Sequence, residues 1–416
     1  MKISNKHIVT ILLAFSLLVL GVLSLSSVAE KIEKRDGLIP YKLIIDDDGD
    51  LVCIGQRAML IPFEESEGND SDAVRPIKAG QYIQLDSDYE ELFTMTVGNQ
   101  LKDGGVANSC LTNIWNIGGS KRLIYYYYET NEIKSQYKQY DELTKPRATV
   151  LEIPQSLLPG YADTLRKVSD GYLFGGYALI NSKKQPMKKD DIISLYDDSL
   201  RSVWEVSGEN FEGCSYSGVI ETEEAFILHG AAQDLNGNSF PSICAISKAG
   251  EFLWRYDAMY FVGCTVIDGV QQRDGDTAFI IGSSASNSGS KVAKFLKLNN
   301  DGKSTYVLDI FKEHGAYNLT SIVELSSGLA ISGNYMRDNQ GAIVFFFHNG
   351  KRSSLKDFTI DKNSLKQTTL LVRETNDLIH AYGYVEYNDS LAQKDISQQY
   401  QSFFYGITSD DFDHKQ

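Results

Sequence analysis

Gly171-Tyr-Leu-Phe-Gly175, Glu224-Ala-Phe-Ile-Leu-His-Gly230, Asp276-Thr-Ala-Phe-Ile-Ile-Gly282, Gly328-Leu-Ala-Ile-Ser-Gly333 and Asp377-Leu-Ile-His-Ala-Tyr-Gly383 repeat one phrase: a turn residue, a short apolar run, then glycine. The closing glycines lie 55, 52, 51 and 50 residues apart. A period of this length marks a repeat architecture, in which each unit buries its apolar face against its neighbours.

Working outward, Leu51-Val-Cys-Ile-Gly55 is an earlier copy, and Lys121-Arg-Leu-Ile-Tyr-Tyr126 is a weaker one with tyrosine where the glycine would be. Together they make seven phrases, near residues 55, 126, 175, 230, 282, 333 and 383. The long first interval is assigned to surface insertions around residues 62 to 79 and 99 to 109. Further strands follow the later phrases. Ser242-Ile-Cys-Ala-Ile246 and Phe252-Leu-Trp-Arg-Tyr256 flank the turn Lys248-Ala-Gly250, and Ala293-Lys-Phe-Leu-Lys-Leu298 is followed by Asn300-Asp-Gly302. Asn-Gly and Asp-Gly between apolar runs signal hairpins, because these residues tolerate the positive φ that tight turns need. An apolar segment also precedes each phrase, as in Ser217-Gly-Val-Ile220, so each period reads as a meander of four strands. Gly160, Gly213, Gly263 and Gly315 keep the same spacing before the innermost strand, where backbones are expected to crowd.

The fold class that follows is all-β: a seven-bladed β-propeller of four-stranded antiparallel blades over residues 38–416, preceded by one N-terminal hydrophobic helix. The runs Ile243 to Trp254 and Ala293 to Gly302 resemble bacterial extracytoplasmic propeller repeats of the quinoprotein-like and WD40-like superfamily, whose units end in an apolar strand, an Asp-x-x-Gly-like turn and tryptophan. The resemblance implies a fold and no particular activity. The last period has no evident fourth strand, and residues near Leu38 to Ile45 are expected to pack beside it and complete the ring.

Composition agrees with many short strands joined by turns: the 416 residues include 34 glycines, 24 tyrosines and only 8 prolines. The net charge of −15, with no basic face, argues against nucleic acid as a partner. Lys2 and Lys6 precede the uncharged stretch Ile8 to Leu25, which is followed by Ser27 and Ala29 and then a charged run to Asp36. This pattern is a signal peptide or a membrane anchor helix over residues 1–29, and both remain open. Residues 30–37 read as a linker, and the remainder is expected to be extracytoplasmic, either membrane-anchored or secreted.

No chemistry is announced. The cluster Asp46-Asp47-Asp48-Gly49-Asp50 and the run Asp234-Leu-Asn-Gly-Asn238 have cation-binding residue types, but both fall in predicted hairpin turns. Cys110, Cys214 and Cys264 hold similar places before their blades' second strands, where buried thiols, a soft-metal cluster or a Cys214–Cys264 bridge are the options. Cys53 and Cys244 complete an odd set of five, and no Cys-x-x-Cys spacing occurs. His229 and His380 lie inside apolar strands as core imidazoles satisfied by hydrogen bonds, and His314 precedes Gly315. No residue is therefore assigned a catalytic or metal-binding role, no ligand-binding residue is identified, and no cofactor is expected. The three tryptophans are too few, and no cysteines are adjacent, for a quinone-dependent dehydrogenase; the repeated turns of sialidases are absent. Tyr125-Tyr-Tyr-Tyr128 would place two rings on each face of a strand, as inter-blade packing or as a platform for a glycan or peptide. The reading is a non-catalytic binding module for a protein or cell-envelope glycan. The alternative is a glycan hydrolase or lyase with a carboxylate site in the propeller funnel.

Overall fold

A computed structural model describes residues 33–45, 50–62, 74–97, 109–117, 120–129, 132–140, 149–151, 165–180, 188–199, 201–211, 214–283, 292–310, 316–326, 328–335, 342–348, 351–358, 360–361, 365–373, 378–387 and 399–407. These residues form seven four-stranded antiparallel sheets, each a meander, in the manner of propeller blades. Sheets 1 to 6 span residues 38–97, 109–151, 165–207, 214–257, 264–309 and 316–358. Sheet 7 takes three strands from residues 366–407 and its outermost strand, Glu33–Asp36, from the other end of the chain.

Each recurring phrase is the second strand of its sheet, and its character follows from burial on both faces. In Ala225–Gln233 of sheet 4, Phe226 and Leu228 pack toward sheet 3, whereas Ile227 packs toward sheet 5. Alternation therefore gives way to a continuous apolar run. Consecutive sheets share such layers: sheet 5 meets sheet 6 through Ile280, Phe295, Ile322 and Ile331, and sheet 6 meets sheet 7 through Ala330, Leu371 and Phe403. Full burial of a side chain such as Phe226 or Phe279 is worth about 1.5–3 kcal/mol relative to exposure.

The closing glycine has a different cause. The innermost strands of sheets 1, 4, 5 and 6 each skip a residue in register, at Tyr41, Ser217, Ile267 and Thr320. These are β-bulges, which bend the strand where it passes over the second. A Cβ on Gly230 would lie 2.2 Å from the Ser215 carbonyl oxygen, and one on Gly55 2.2 Å from that of Ile39. Gly383 is tighter still, 1.8 Å from the Thr368 oxygen, although no bulge is present there. In sheet 2 the strand Ser120–Glu129 follows the weaker phrase, and Tyr125 stands at the pair preceding the skipped Thr112.

The tryptophan and turn of the repeat dock blade to blade. Trp204, on the outer strand of sheet 3, donates its indole N–H to the Lys248 carbonyl at 3.1 Å, and Trp254 of sheet 4 donates to Asn300 at 2.8 Å. The Trp254 ring covers the next turn so closely that a Cβ on Gly302 would be 2.4 Å from it.

Closure follows the sequence expectation in part: Leu38 and Leu43 do pack against Tyr382 and Phe404 of sheet 7, but they do not supply its fourth strand. Leu38–Ile45 is the innermost strand of sheet 1, and the missing strand of sheet 7 is Glu33–Asp36, from the stretch expected to be a linker. It pairs with Tyr400–Ile407 in the register Glu33↔Phe404 to Asp36↔Gln401. Four charged or polar residues suffice because an outer edge strand requires backbone pairing and no apolar face. Arg35 then ties it to sheet 1, with Nη1 to Glu91 Oε2 at 2.9 Å and Nη2 to the Tyr89 carbonyl at 2.8 Å. Residues 62 and 74–79, expected in an insertion, belong to the long strands Leu51–Pro62 and Val74–Leu85. At Gly263 the reason for glycine is a φ of 76°, not crowding, since a Cβ there meets nothing within 4 Å. Gly160, Gly213 and Gly315 lie outside the described residues, as do residues 1–29 of the expected helix. Among the described residues no helix is long and apolar enough to cross a membrane.

The crossings set a graded test. Gly230→Ala and Gly383→Ala drive Cβ into backbone oxygen, so each should cost about 1–3 kcal/mol or more of unfolding free energy. Gly282→Ala, 3.2 Å from a movable Ile267 side chain, should cost clearly less in urea unfolding. Equal losses at all of these positions would refute the crossing as the cause.

Candidate functional site

Two regions bring chemically capable side chains together, and the first is the hub where innermost strands converge. Asp268 follows the Ile267 bulge in Cys264–Gln271. Its Oδ1 accepts the Gly269 N–H at 2.9 Å, and its Oδ2 accepts the Ile322 N–H at 3.0 Å and the Ser321 hydroxyl at 3.2 Å, both on sheet 6. Burial pushes the carboxyl up to about 6, against the pull of those donors. Sheet 6 continues the belt: the hydroxyls of Ser332, at 3.1 Å, and Thr320 both reach the Thr369 carbonyl on sheet 7. On the opposite side, Arg166 of sheet 3 donates from Nη2 to the Ser217 carbonyl at 2.6 Å, capping the bulge of sheet 4. The side-chain ties of Asp268 and Arg166 thus land on or beside the irregular part of the next sheet's inner strand, where ladder pairing is interrupted.

Two cations face this hub. Burial, and secondarily the field of Arg166, hold the Lys42 ammonium down to about 8. Sheets 1 and 3 are not sequential neighbours, so that field acts across the hub. His229 lies under the same influence: burial, then Arg166, lower it to about 3, so the ring is neutral. It packs edge-on to Phe279 and over Gly218, where a Cβ would be 2.2 Å from its ring. Its Nδ1 has no hydrogen-bond partner, which departs from the satisfied imidazole expected. His380 meets that expectation, with Nδ1 2.8 Å from the Tyr89 hydroxyl.

The remaining sequence candidates resolve as structure where they are described. Cys53, Cys214, Cys244 and Cys264 are free and buried, so Cys214 and Cys264 form no bridge. Burial raises all four thiols, Cys53 and Cys244 to about 12, which keeps them protonated and poor metal ligands. Among the described residues no group of histidines, cysteines and carboxylates could hold a metal ion. Asp234 spends both oxygens on its own loop, on the N–H groups of Asn236 and Asn238 and the Asn238 amide, as a hairpin turn does. Asp46 to Gly49, His314 and the side chains of Cys110 and of Tyr125 to Tyr128 lie outside the described residues.

The second region is a cleft of about 510 Å³ between sheets 4 and 5, on the rim that carries the hairpin turns. Ile227 and Ala245 form its floor, and the half-buried Trp254 and the exposed Leu253 stand on one side. Glu223 and Glu224, in the first turn of sheet 4, are exposed at its mouth, and neither carboxylate has an ion-pair partner among the described residues. Gln272 and Arg273 enter from the corresponding turn of sheet 5. The Arg273 guanidinium leans away, 3.4 Å from the Ser326 carbonyl, while Gln272 Oε1 is buried without a hydrogen-bond partner. Sequence reading missed this cleft because its residues come from turns of two repeats and match no motif.

No protein-family model and no curated protein matches the chain. Among solved structures it is similar to the β-propeller domain of the Trilobed protease from Pyrococcus furiosus, with 9% identity over 92% of this chain and 99% of that one and a TM-score of 0.47. It is also similar to the Pan2 WD40 domain of Neurospora crassa, with 8% identity over 92% and 90% of the two chains and a TM-score of 0.46. For the quinohemoprotein alcohol dehydrogenase of Comamonas testosteroni the identity is 13% over 67% and 53%, with a TM-score of 0.38. The likeness is one of fold.

Asp268 makes a prediction with a definite sign. Its folded value near 6 lies above the ordinary 3.8, so its contribution to folding is complete only below 3.8 and is lost as pH rises through about 6, roughly 3 kcal/mol in all. His229, lowered from 6.5 to about 3, acts oppositely, costing stability as pH falls below its ordinary value. In urea unfolding from about pH 7 to about pH 4, wild type should therefore gain on Asp268→Asn by about 2 kcal/mol, most of the full effect. A difference that stays flat across this window would refute the assignment.

Proposed function

We propose that the seven sheets close as one seven-bladed ring and act as a non-catalytic binding module at the cell envelope, displayed outside the membrane by the N-terminal apolar segment. The observation that carries this reading is the composition of the hub. The described inner strands place hydroxyls and cations there: Tyr41, Ser217, Thr320, Lys42 and Arg166. Asp268, the carboxylate placed there, is consumed by three hydrogen bonds and gains no second acid among the described residues. Glycoside cleavage between two carboxylates requires a pair about 5–9.5 Å apart, which this hub does not supply among those residues. Loops from successive rigid blades instead share one rim, an arrangement suited to recognition. The surplus of acid over base, −15 in net charge, favours partners that are neutral or basic over nucleic acid.

The test combines the purified full chain with envelope extracts and assays both retention and turnover. Stable co-sedimentation with an envelope protein or glycan, without release of reducing ends or unsaturated products, is expected. Reproducible release of such products, abolished by Asp268→Asn, would replace the binding reading with a catalytic one. Fractionation of cells producing the tagged chain should place it outside the cytoplasm; recovery in the cytosol would overturn the display.

A further inference from the structure

The cleft between sheets 4 and 5 combines features that together select one kind of ligand. Its floor, Ile227 and Ala245, is apolar and belongs to strands buried on both faces, so it does not move to close the space. Its mouth carries the exposed carboxylates of Glu223 and Glu224, which have no ion-pair partner among the described residues. Nearby basic groups are committed elsewhere: Lys248 pairs with Glu221, and Arg273 points to the Ser326 carbonyl. One wall is the Trp254 indole, fixed by its N–H bond to the Asn300 carbonyl at 2.8 Å. The other presents Gln272, whose buried Oε1 lacks a donor, an omission that costs free energy until something supplies an N–H or O–H.

We propose that this cleft docks a basic peptide segment, with the aliphatic stem of a lysine or arginine on the Ile227–Ala245 floor and its cationic head at Glu223, Glu224 and Gln272. The proposal rests on the reading of the protein as a binding module and names the ligand class of one of its surfaces. Long basic side chains suit a site that is apolar below and charged above, because they bury their methylenes while keeping the head in a polar setting. Trp254 adds an aromatic ring for the same cation. The charge complementarity is local and global at once, since the whole chain carries −15 and steers cations toward itself. A neutral glycan would use the aromatic wall and the amide but leave the two carboxylates without a counter-charge, which is why the basic peptide is preferred.

The experiment uses the full chain and a short fluorescent peptide alternating lysine with leucine, followed by anisotropy. Comparison probes are the same peptide with glutamate replacing lysine, and a neutral oligosaccharide as competitor. The lysine peptide should bind with an affinity that falls as salt rises, and the glutamate peptide should not bind. The double variant Glu223→Gln, Glu224→Gln changes exposed turn residues and should keep the wild-type melting temperature while weakening the peptide about tenfold. Gln272→Leu, which removes the orphan acceptor, should weaken it further. No peptide binding, unaltered binding by the double variant, or displacement by the oligosaccharide would each overturn the proposal. If the double variant still retains envelope material in the co-sedimentation assay, the cleft assignment alone falls. Turnover products in that assay would instead strike the binding reading itself.

Discussion

The rest of the structure depends on a steric prohibition: under the inner strand of a blade there is no room for a side chain. Where Ser215 and Tyr216 pass over Gly230, or Thr368 over Gly383, one extra carbon would collide with backbone. Because the inner strand can sit that close, it can also bulge, and the bulge redirects side chains and frees backbone groups. Arg166 caps the freed carbonyl of Ser217, and Asp268 reaches the N–H of Ile322 beside the Thr320 bulge. Cohesion around the hub is thus assembled from polar ties at irregular points, while the blades farther out cohere by apolar layers such as Ile280 against Ile331.

What the sequence revealed follows the same division. The glycine rhythm and the tryptophan turns were legible because each has a recurring cause, a backbone crossing at Gly55, Gly230 and Gly383 in one case and an indole seated on the next blade's turn at Trp204 and Trp254 in the other. Glu33–Asp36 was not, since an edge strand whose partner lies at the far end of the chain needs no apolar alternation and left only a charged run. Tyr89 was equally hidden. It is the non-glycine residue with positive φ among those described, 64°, in a loop position where Gly237, Gly250 and Gly302 stand elsewhere. That strain, of order 1–3 kcal/mol, is offset by a ring stacked on Phe404 and a hydroxyl on His380. The sites were least legible of all. Asp268 reads as one acid among many until the fold buries it, and the cleft exists only where turns of two blades face each other.

Electrostatics separate the hub from the exterior. Outside, acids outnumber bases and are spread over turns, many of them engaged by their own loops, as Asp197 is by Ser199 and Arg201. Inside, the few ionisable groups are held away from their ordinary behaviour by burial: a reluctant carboxylate, a neutral imidazole and an ammonium in the field of a guanidinium. Such groups attract a mechanistic reading. For Asp268 the cause is structural: its carboxylate ties the inner strand of one blade to that of the next, beside a bulge.

The seam in sheet 7 sets an order of events during biosynthesis. Asp36 and Gln401, joined across it, are separated by 365 positions, so a chain made from its N-terminus holds its first strand in waiting until nearly all of it has been translated. Until then sheet 7 has no outer strand and sheet 1 no neighbour on that side, and both edges invite pairing with other chains. A nascent ring of this kind needs its opening strand kept apart from competing edges.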